Sequence, residues 1–352
     1  MSRATESTLP TPLRPLRALL RGMGHLPASV FGSMSRWCRV NADGEHINPE
    51  MAFTGRATAL VPGADMGGST VAQARRLLEI NSGLISEKLP ALAVEEDLVI
   101  DGPTGPIPAT RYRAGVESTG IVLFLHGGGW VLGSPASHDA LTRRLAIETG
   151  ADVLSVDYRL APENPFPAAV DDVLAAWRFA VESAPRWGVD PRKIVVAGDS
   201  AGGNLSAVVA QQTRGNDVTP LLQLLIYPVT DLTTDTPSRD EFANGYFLTK
   251  DRIEWFTEQY VPDPAQRFDR RASPLLDEDL SGLPRAHVVV AGFDPLRDEG
   301  LAYAEAMAAA GVPVTVQREG GMIHGFANMA GFSPDARSAI SRFAGVVRDA
   351  LG

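Results

Sequence analysis

Apolar and polar positions change rhythm near residue 95. Before it, turn-rich and helical pieces alternate, among them "STVAQARRLLEINSGLI", which reads as a helix opened by a Ser/Thr cap. Just after it, "EEDLVI" and "IPATRYRA" read as two strands separated by the turn "DGPTGP", a predicted antiparallel start. Short apolar runs then alternate with stretches of helical spacing. The runs are "GIVLFLH" (120–126), "ADVLSVDY" (151–158), "KIVVAG" (193–198), "LLQLLIYP" (221–228), "AHVVVAG" (286–292) and "VPVTVQRE" (312–319). Helices are predicted over 137–149, 167–184, 201–213, 297–310 and 335–350. Strand and helix in alternation mean βαβ units and a mainly parallel sheet. Residues 229–275 break the rhythm: "NGYFLTKDRIEWFTEQYVPD" reads as an insertion with its own helix.

Composition narrows the class. The chain has 352 residues, 44% of them hydrophobic, which is ample for one large α/β domain with an appendage or for two domains. A net charge of -10 argues against nucleic acid as a partner of the whole chain. The lone Cys38 allows no intrachain disulfide. No apolar run approaches the about 18 residues of a transmembrane helix, and "GMGHLPASVFGSMS" makes a poor secretory core, so cytoplasmic residence is expected. Ser7 to Ala42 holds five arginines and no acid. That segment reads as a helix packed on the body with a solvated basic edge; peripheral membrane contact is the alternative.

The chemistry starts at "VVAGDSAGGN". An apolar strand running into Gly198-x-Ser200-x-Gly202 and then a helix forces a strand-to-helix reversal in very few residues. Ser200 at its apex is expected in a strained conformation with its hydroxyl projecting, and side chains at 198 and 202 would collide. "FLHGGGWVLGS" ends another strand in a glycine run whose backbone N–H groups can approach a ligand closely. No Gly-Lys-Ser/Thr follows it, which disfavours a phosphate loop.

A serine hydroxyl needs a base, and the base needs an orienting carboxylate. Two histidines lie downstream of Ser200. His287 sits inside a predicted strand; His324 sits in the glycine-flanked "GGMIHGF" and is the expected base. Asp294 stands at a strand end in "AGFDPLRDEG" and is the expected acid, with Asp298, read as capping the next helix, as the alternative.

"HGGGW", "DYRLAPE", "GDSAGGN", "DPLRDEG" and "HGF", in this order, resemble the hormone-sensitive-lipase-like (bacterial family IV) esterases from about residue 94 onward. The resemblance implies an α/β-hydrolase fold: a mostly parallel eight-stranded sheet flanked by helices, with a helical cap. It implies Ser200 as nucleophile, His324 as base, Asp294 as orienter, and an oxyanion hole from the N–H groups of Gly128, Gly129 and Ala201. It divides the chain into an N-terminal segment and cap (1–95) and a catalytic domain (96–352) with a cap insertion at about 229–275. The first forty residues match no family motif.

The remaining candidates are weaker. Trp130, Phe247, Trp255 and Phe256 are candidate substrate contacts, although the spacing of the last three equally suits a cap helix packing down. Asp157, Arg159 and Glu163 read as an ion-pair and turn network under the glycine loop, and His126 as a strut that fixes it. The histidines and scattered carboxylates show no metal-ligand spacing. The expected activity is hydrolysis of short- to medium-chain carboxylic esters, with no cofactor or metal and a small-molecule ester as partner. Rivals are amide, lactone or thioester hydrolysis, acyl transfer, and a non-catalytic receptor. The resemblance disfavours the receptor, because relatives of that kind have lost the histidine. A monomer and a homodimer are both compatible with the sequence.

Overall fold

A computed structural model of the chain describes residues 39–60 and 70–352, with isolated positions among the first 22. Apart from those positions and residues 39–42, the arginine-rich segment lies outside the described residues, and so does Cys38. The antiparallel start is present: β1 (Val94–Asp101) pairs with β2 (Pro106–Arg113) across the short turn. The strands that follow are β3 (Ile121–Leu125), β4 (Asp152–Val156), β5 (Ile194–Asp199), β6 (Leu222–Ile226), β7 (Ala286–Phe293) and β8 (Val314–Ile323). They join one eight-stranded sheet in the order β1-β2-β4-β3-β5-β6-β7-β8, parallel from β4 onward.

β3 shows why its run is apolar throughout. All five residues are buried, because a central parallel strand is covered on both faces. Ile121, Leu123 and Leu125 point to one core, Val122 and Phe124 to the other. The first face is covered by α4 (Ala168–Ser183) and α5 (Ala201–Gln212), the second by α3 (Asp139–Thr149) and α9 (Pro334–Leu351). A third cluster packs α8 (Arg297–Ala309) on β6 and β7. In α9, Ala336, Ala339, Ile340, Phe343, Ala344 and Val347 form the buried stripe that its periodicity predicts.

One strand outruns its prediction. β8 continues through Gly320 and Gly321 to Ile323, past the expected end at 319. A Cβ at Gly292 would lie 2.0 Å from the Gly320 carbonyl oxygen, so the glycines permit close backbone approach where the β7–β8 register shifts. The turn-forming stretch Val40 to His46 lies over this end of the sheet. Asn41 Nδ2 donates to the Gly292 carbonyl (3.0 Å), the Asn48 N–H donates to the Gly321 carbonyl (2.8 Å), and Glu45 pairs with Arg318 (2.6 Å).

Outside the sheet, α1 (Pro49–Leu60) and α2 (Val71–Ile85) precede β1. α2 opens on a capping box in which the Thr70 side chain and Gln73 satisfy each other's backbone donors. The interruption between β6 and β7 holds α6 (Pro237–Glu241) and α7 (Lys250–Tyr260). Among the described residues no helix is long and apolar enough to cross a membrane.

A buried charge cluster joins the antiparallel start to the parallel sheet. Asp152 in β4 is fully buried and accepts from Arg111 Nε (2.7 Å) and Arg113 Nη2 (2.6 Å) of β2. Removing one partner of such a cluster leaves uncompensated charge inside. Asp152→Ala is expected to destabilise the fold by about 3–5 kcal/mol, read as a lowered urea midpoint. A midpoint within error of wild type would show that the two arginines reach solvent without it.

Candidate active site

The strand-to-helix turn after β5 forms as its glycines require. A Cβ at Gly198 would lie 2.3 Å from the Gly202 carbonyl oxygen, and one at Gly202 would lie 1.9 Å from the Leu125 carbonyl oxygen. Ser200 between them has φ 55° and ψ −119°, a conformation that L-residues rarely adopt and that persists only when its surroundings impose it. Its N–H donates to the Ile226 carbonyl (2.8 Å) and its carbonyl accepts from the Asn204 N–H (3.0 Å). Asn204 Nδ2 in turn donates to the carbonyls of Val229 (3.0 Å) and Ala272 (2.9 Å), tying α5 to the segment after β6.

Three predicted residues from three loops meet here. Ser200 Oγ lies 3.0 Å from His324 Nε2, and His324 Nδ1 lies 2.8 Å from Asp294 Oδ2. All three are buried. The other Asp294 oxygen accepts the Leu296 N–H (2.8 Å), which fixes the carboxylate plane. The Tyr227 ring lies 4.7 Å from the imidazole, centroid to centroid. Asp298, the alternative acid, is engaged elsewhere: it accepts the Ser238 N–H (2.8 Å) and Arg297 Nε (2.8 Å). His287 lies within β7, between Thr315 (2.7 Å) and Gln317 (3.2 Å) of β8.

The glycine loop follows β3. Gly128 and Gly129 have φ of 119° and 61°, and Trp130 has φ 59°. A Cβ on Gly128 would meet the Leu132 carbonyl oxygen at 2.3 Å, and one on Gly129 the Phe256 ring at 2.3 Å. The Gly127 N–H is held by Asp199 Oδ1 (2.9 Å). Ala201 is the first residue of α5, so its N–H has no partner within the helix.

His126 is the strut that its place in the sequence suggested. It stacks on Tyr158 with centroids 4.3 Å apart, its carbonyl accepts the Tyr158 hydroxyl (2.6 Å), and its Nδ1–H donates to the Gly127 carbonyl (2.9 Å). Burial pushes its imidazole down to about 3, so the ring is neutral. In "DYRLAPE" the charges find partners elsewhere rather than each other. Arg159 pairs with Asp172 (2.7 Å) and Glu163 with Arg75 (2.7 Å), while burial raises Asp157 above the usual carboxylate range.

Above Ser200 lies an apolar cavity of about 170 Å³. α2 contributes Leu77, Leu78, Asn81, Ser82 and Ile85; α7 contributes Arg252, Ile253, Phe256 and Thr257. Trp130, Phe247, Gly128 and Gly129 also line it. Trp255 does not. It packs edge-on against Phe256 (5.1 Å between centroids), because on a helix neighbouring positions point apart and only one of the two faces the cavity.

Sequence reasoning missed a buried pair under the serine. Asp199 Oδ1 lies 3.2 Å from His138 Nε2, and both residues reach the cavity wall. Burial alone would raise the Asp199 carboxyl, but His138 and the Gly127 N–H hold it below its ordinary value. The only signal was the acid before the serine, and its partner lies 61 positions upstream at a helix start.

Comparison with known proteins agrees with this geometry. Residues 122–328 match the α/β-hydrolase fold family. The carboxylic ester hydrolase LipN of Mycobacterium tuberculosis is 51% identical over 241 residues, 66% of this chain and 64% of the relative. The ethyl acetate hydrolase of Pseudomonas putida is 38% identical over 305 residues, 82% of this chain and 95% of the relative. Among solved structures, an esterase of Pyrobaculum calidifontis superposes with a TM-score of 0.80 at 39% identity, over 86% of this chain and 98% of that one. From a motif series in order, an eight-stranded sheet and these relatives, the chain belongs to the α/β-hydrolase fold family, in its hormone-sensitive-lipase-like branch.

Proposed function

We propose that this hydrolase cleaves carboxylic esters of short- to medium-chain acids with Ser200, His324 and Asp294 as its catalytic residues. The observation that carries the reading is the unbroken chain of contacts, Ser200 Oγ to His324 Nε2 (3.0 Å) and His324 Nδ1 to Asp294 Oδ2 (2.8 Å), at the floor of an apolar cavity. Ser200 Oγ attacks the ester carbonyl carbon while its proton passes to His324 Nε2. Asp294 holds the imidazole in the tautomer that accepts there and stabilises the imidazolium. The N–H groups of Gly128, Gly129 and Ala201 receive the oxyanion. The C–O bond then breaks, the alcohol leaves with the proton from Nε2, and an acyl-serine remains. Water attacks that ester, losing a proton to His324; collapse returns the proton to Ser200 Oγ and releases the acid.

The chemistry of the lining supports an ester with a compact apolar acyl group. Leucine, isoleucine and phenylalanine side chains dominate the wall, which favours hydrocarbon. We assign the cap to residues 1–95 together with about 229–275. Its support is that α2, which precedes the sheet in sequence, and α7, which interrupts it between β6 and β7, both wall the cavity.

One outcome tests this reading, and a second tests the burial of His126 beneath the glycine loop. On p-nitrophenyl esters of increasing acyl length, the wild type is expected to be fastest at short to medium lengths. Ser200→Ala should lower kcat by about 10⁶-fold, by analogy with other triads. Residual turnover near wild type in the folded variant would remove Ser200 from the mechanism. The second concerns pH. His126 binds its proton at about 3 when folded, against 6.5 ordinarily, so the unfolded chain takes up the proton first on acidification. Its contribution to stability is full above pH 6.5 and is lost progressively as pH falls towards 3. Urea midpoints measured between pH 7 and pH 4 should fall more steeply for wild type than for His126→Asn. Parallel curves would place the acid sensitivity in another group.

A further inference from the structure

We infer that Arg75 is a positioning residue for the reaction: it couples the seating of α2 over the acyl cavity to the aim of the oxyanion donors. The inference rests on reading Gly128 and Gly129 as those donors. It starts from what one guanidinium touches. Arg75 Nε donates to the Val131 carbonyl (2.8 Å) and Nη2 to the Ala161 carbonyl (2.9 Å). Nη1 and Nη2 together grip Glu163 (3.0 and 2.7 Å).

Both carbonyls lead directly into the glycine loop. The Val131 N–H turns back to the Gly128 carbonyl (3.2 Å), and so does the Leu132 N–H (2.9 Å). The Ala161 N–H donates to the Trp130 carbonyl (2.9 Å). From Arg75 to Gly128 is therefore two hydrogen bonds by way of a single residue. The loop needs outside support, since three successive residues, Gly128 to Trp130, hold positive φ. α7 supplies some of it through Phe256 against Gly129 and through Tyr260, which stacks on Trp130 at 4.3 Å between centroids. Arg75 adds support from α2.

The ion pair itself is not the point. The Glu163 side chain is 57% exposed and that of Arg75 29%, so their attraction is screened and contributes little to stability. What Glu163 does is hold the planar fork so that the remaining donors face the two carbonyls. A lysine keeps the charge but cannot present that fork. Leu78, Asn81, Ser82 and Ile85 of the same helix line the cavity, so the helix that encloses the acyl group also anchors the loop that receives the oxyanion. Displacing α2 would release both together.

The test compares wild type, Arg75→Ala, Arg75→Lys and Glu163→Gln, reading kcat and KM on p-nitrophenyl acetate and its longer acyl homologues, and the affinity for phenylboronic acid as a tetrahedral mimic. A deleted oxyanion donor costs about 10²–10³-fold; a misaimed one is expected to cost about 10-fold in kcat for both Arg75 variants. KM should stay within about 2-fold, and boronate affinity should fall by the same factor as kcat/KM. Glu163→Gln, which leaves the carbonyl contacts in place, should lose about 2- to 3-fold. The inference is overturned if folded Arg75→Ala keeps kcat and boronate affinity at wild-type values, or if only KM rises and does so with acyl length. Should Arg75→Ala not fold, wild-type kcat and boronate affinity in both Arg75→Lys and Glu163→Gln overturn it. A wild type that cleaves no ester and binds no boronate overturns the ester-hydrolase reading along with it.

Discussion

Everything at this site depends on three backbones crossing where no side chain fits. Leu125 at the end of β3 pairs in register with Gly198 near the end of β5, and the first turn of α5 passes over both at Gly202. A methyl group at either glycine would sit 2.3 Å or less from a carbonyl oxygen, far inside van der Waals contact, so the crossing tolerates only hydrogen there. The consequence is spatial. β3 and β5 are distant in sequence but neighbours in the sheet, so the loop leaving one and the serine leaving the other emerge side by side. Asp199 then locks the two together by accepting the Gly127 N–H. The nucleophile and the glycine loop are thus brought together by the crossing itself, and the acid and base are added from the ends of β7 and β8.

Three carboxylates buried along the sheet each have their own compensating partners. Asp199 has His138, Asp152 has two arginines, and Glu299 has Arg239 at 2.6 Å together with the Thr230 N–H at 2.8 Å. Burial lifts Glu299 above the ordinary carboxylate range, with the arginine pulling the other way. Each cluster sits where a strand end is held against another element: β3 to β5, the start of β4 to β2, β6 to α8. Such pairs contribute little net stability over apolar packing, but removing one member is costly, so they define which loop goes where.

How far this was legible follows from the range of each signal. The strands and the elbow are local patterns and were readable, and so were the strand-end setting of Asp294 and the glycine-flanked setting of His324. The choice of Asp294 over Asp298 was also local, since a strand end and a helix start differ in their neighbours. Contacts across the fold were not readable. Nothing near Arg75 marks it as the partner of Glu163, 88 positions away, and nothing near Arg159 distinguishes Asp172 from Asp157. Trp255 and Phe256 are adjacent aromatics with equal claims on the cavity until the orientation of α7 is known. β8 ran beyond its expected end because a glycine pair looks like a terminator unless the segment lying on it is in view.

That same segment carries a consequence for the order of assembly. Asn41 bonds to Gly292 across 251 positions, and Glu50 receives the Ser333 hydroxyl across 283. On a ribosome, which releases chain from one end, the stretch made early must wait, undocked, until nearly all the rest has emerged. Local βαβ units can collapse meanwhile, whereas contacts of such sequence separation close late. The loop bearing Asp294 receives its cover last, so the chain is committed to its topology before its acid is enclosed.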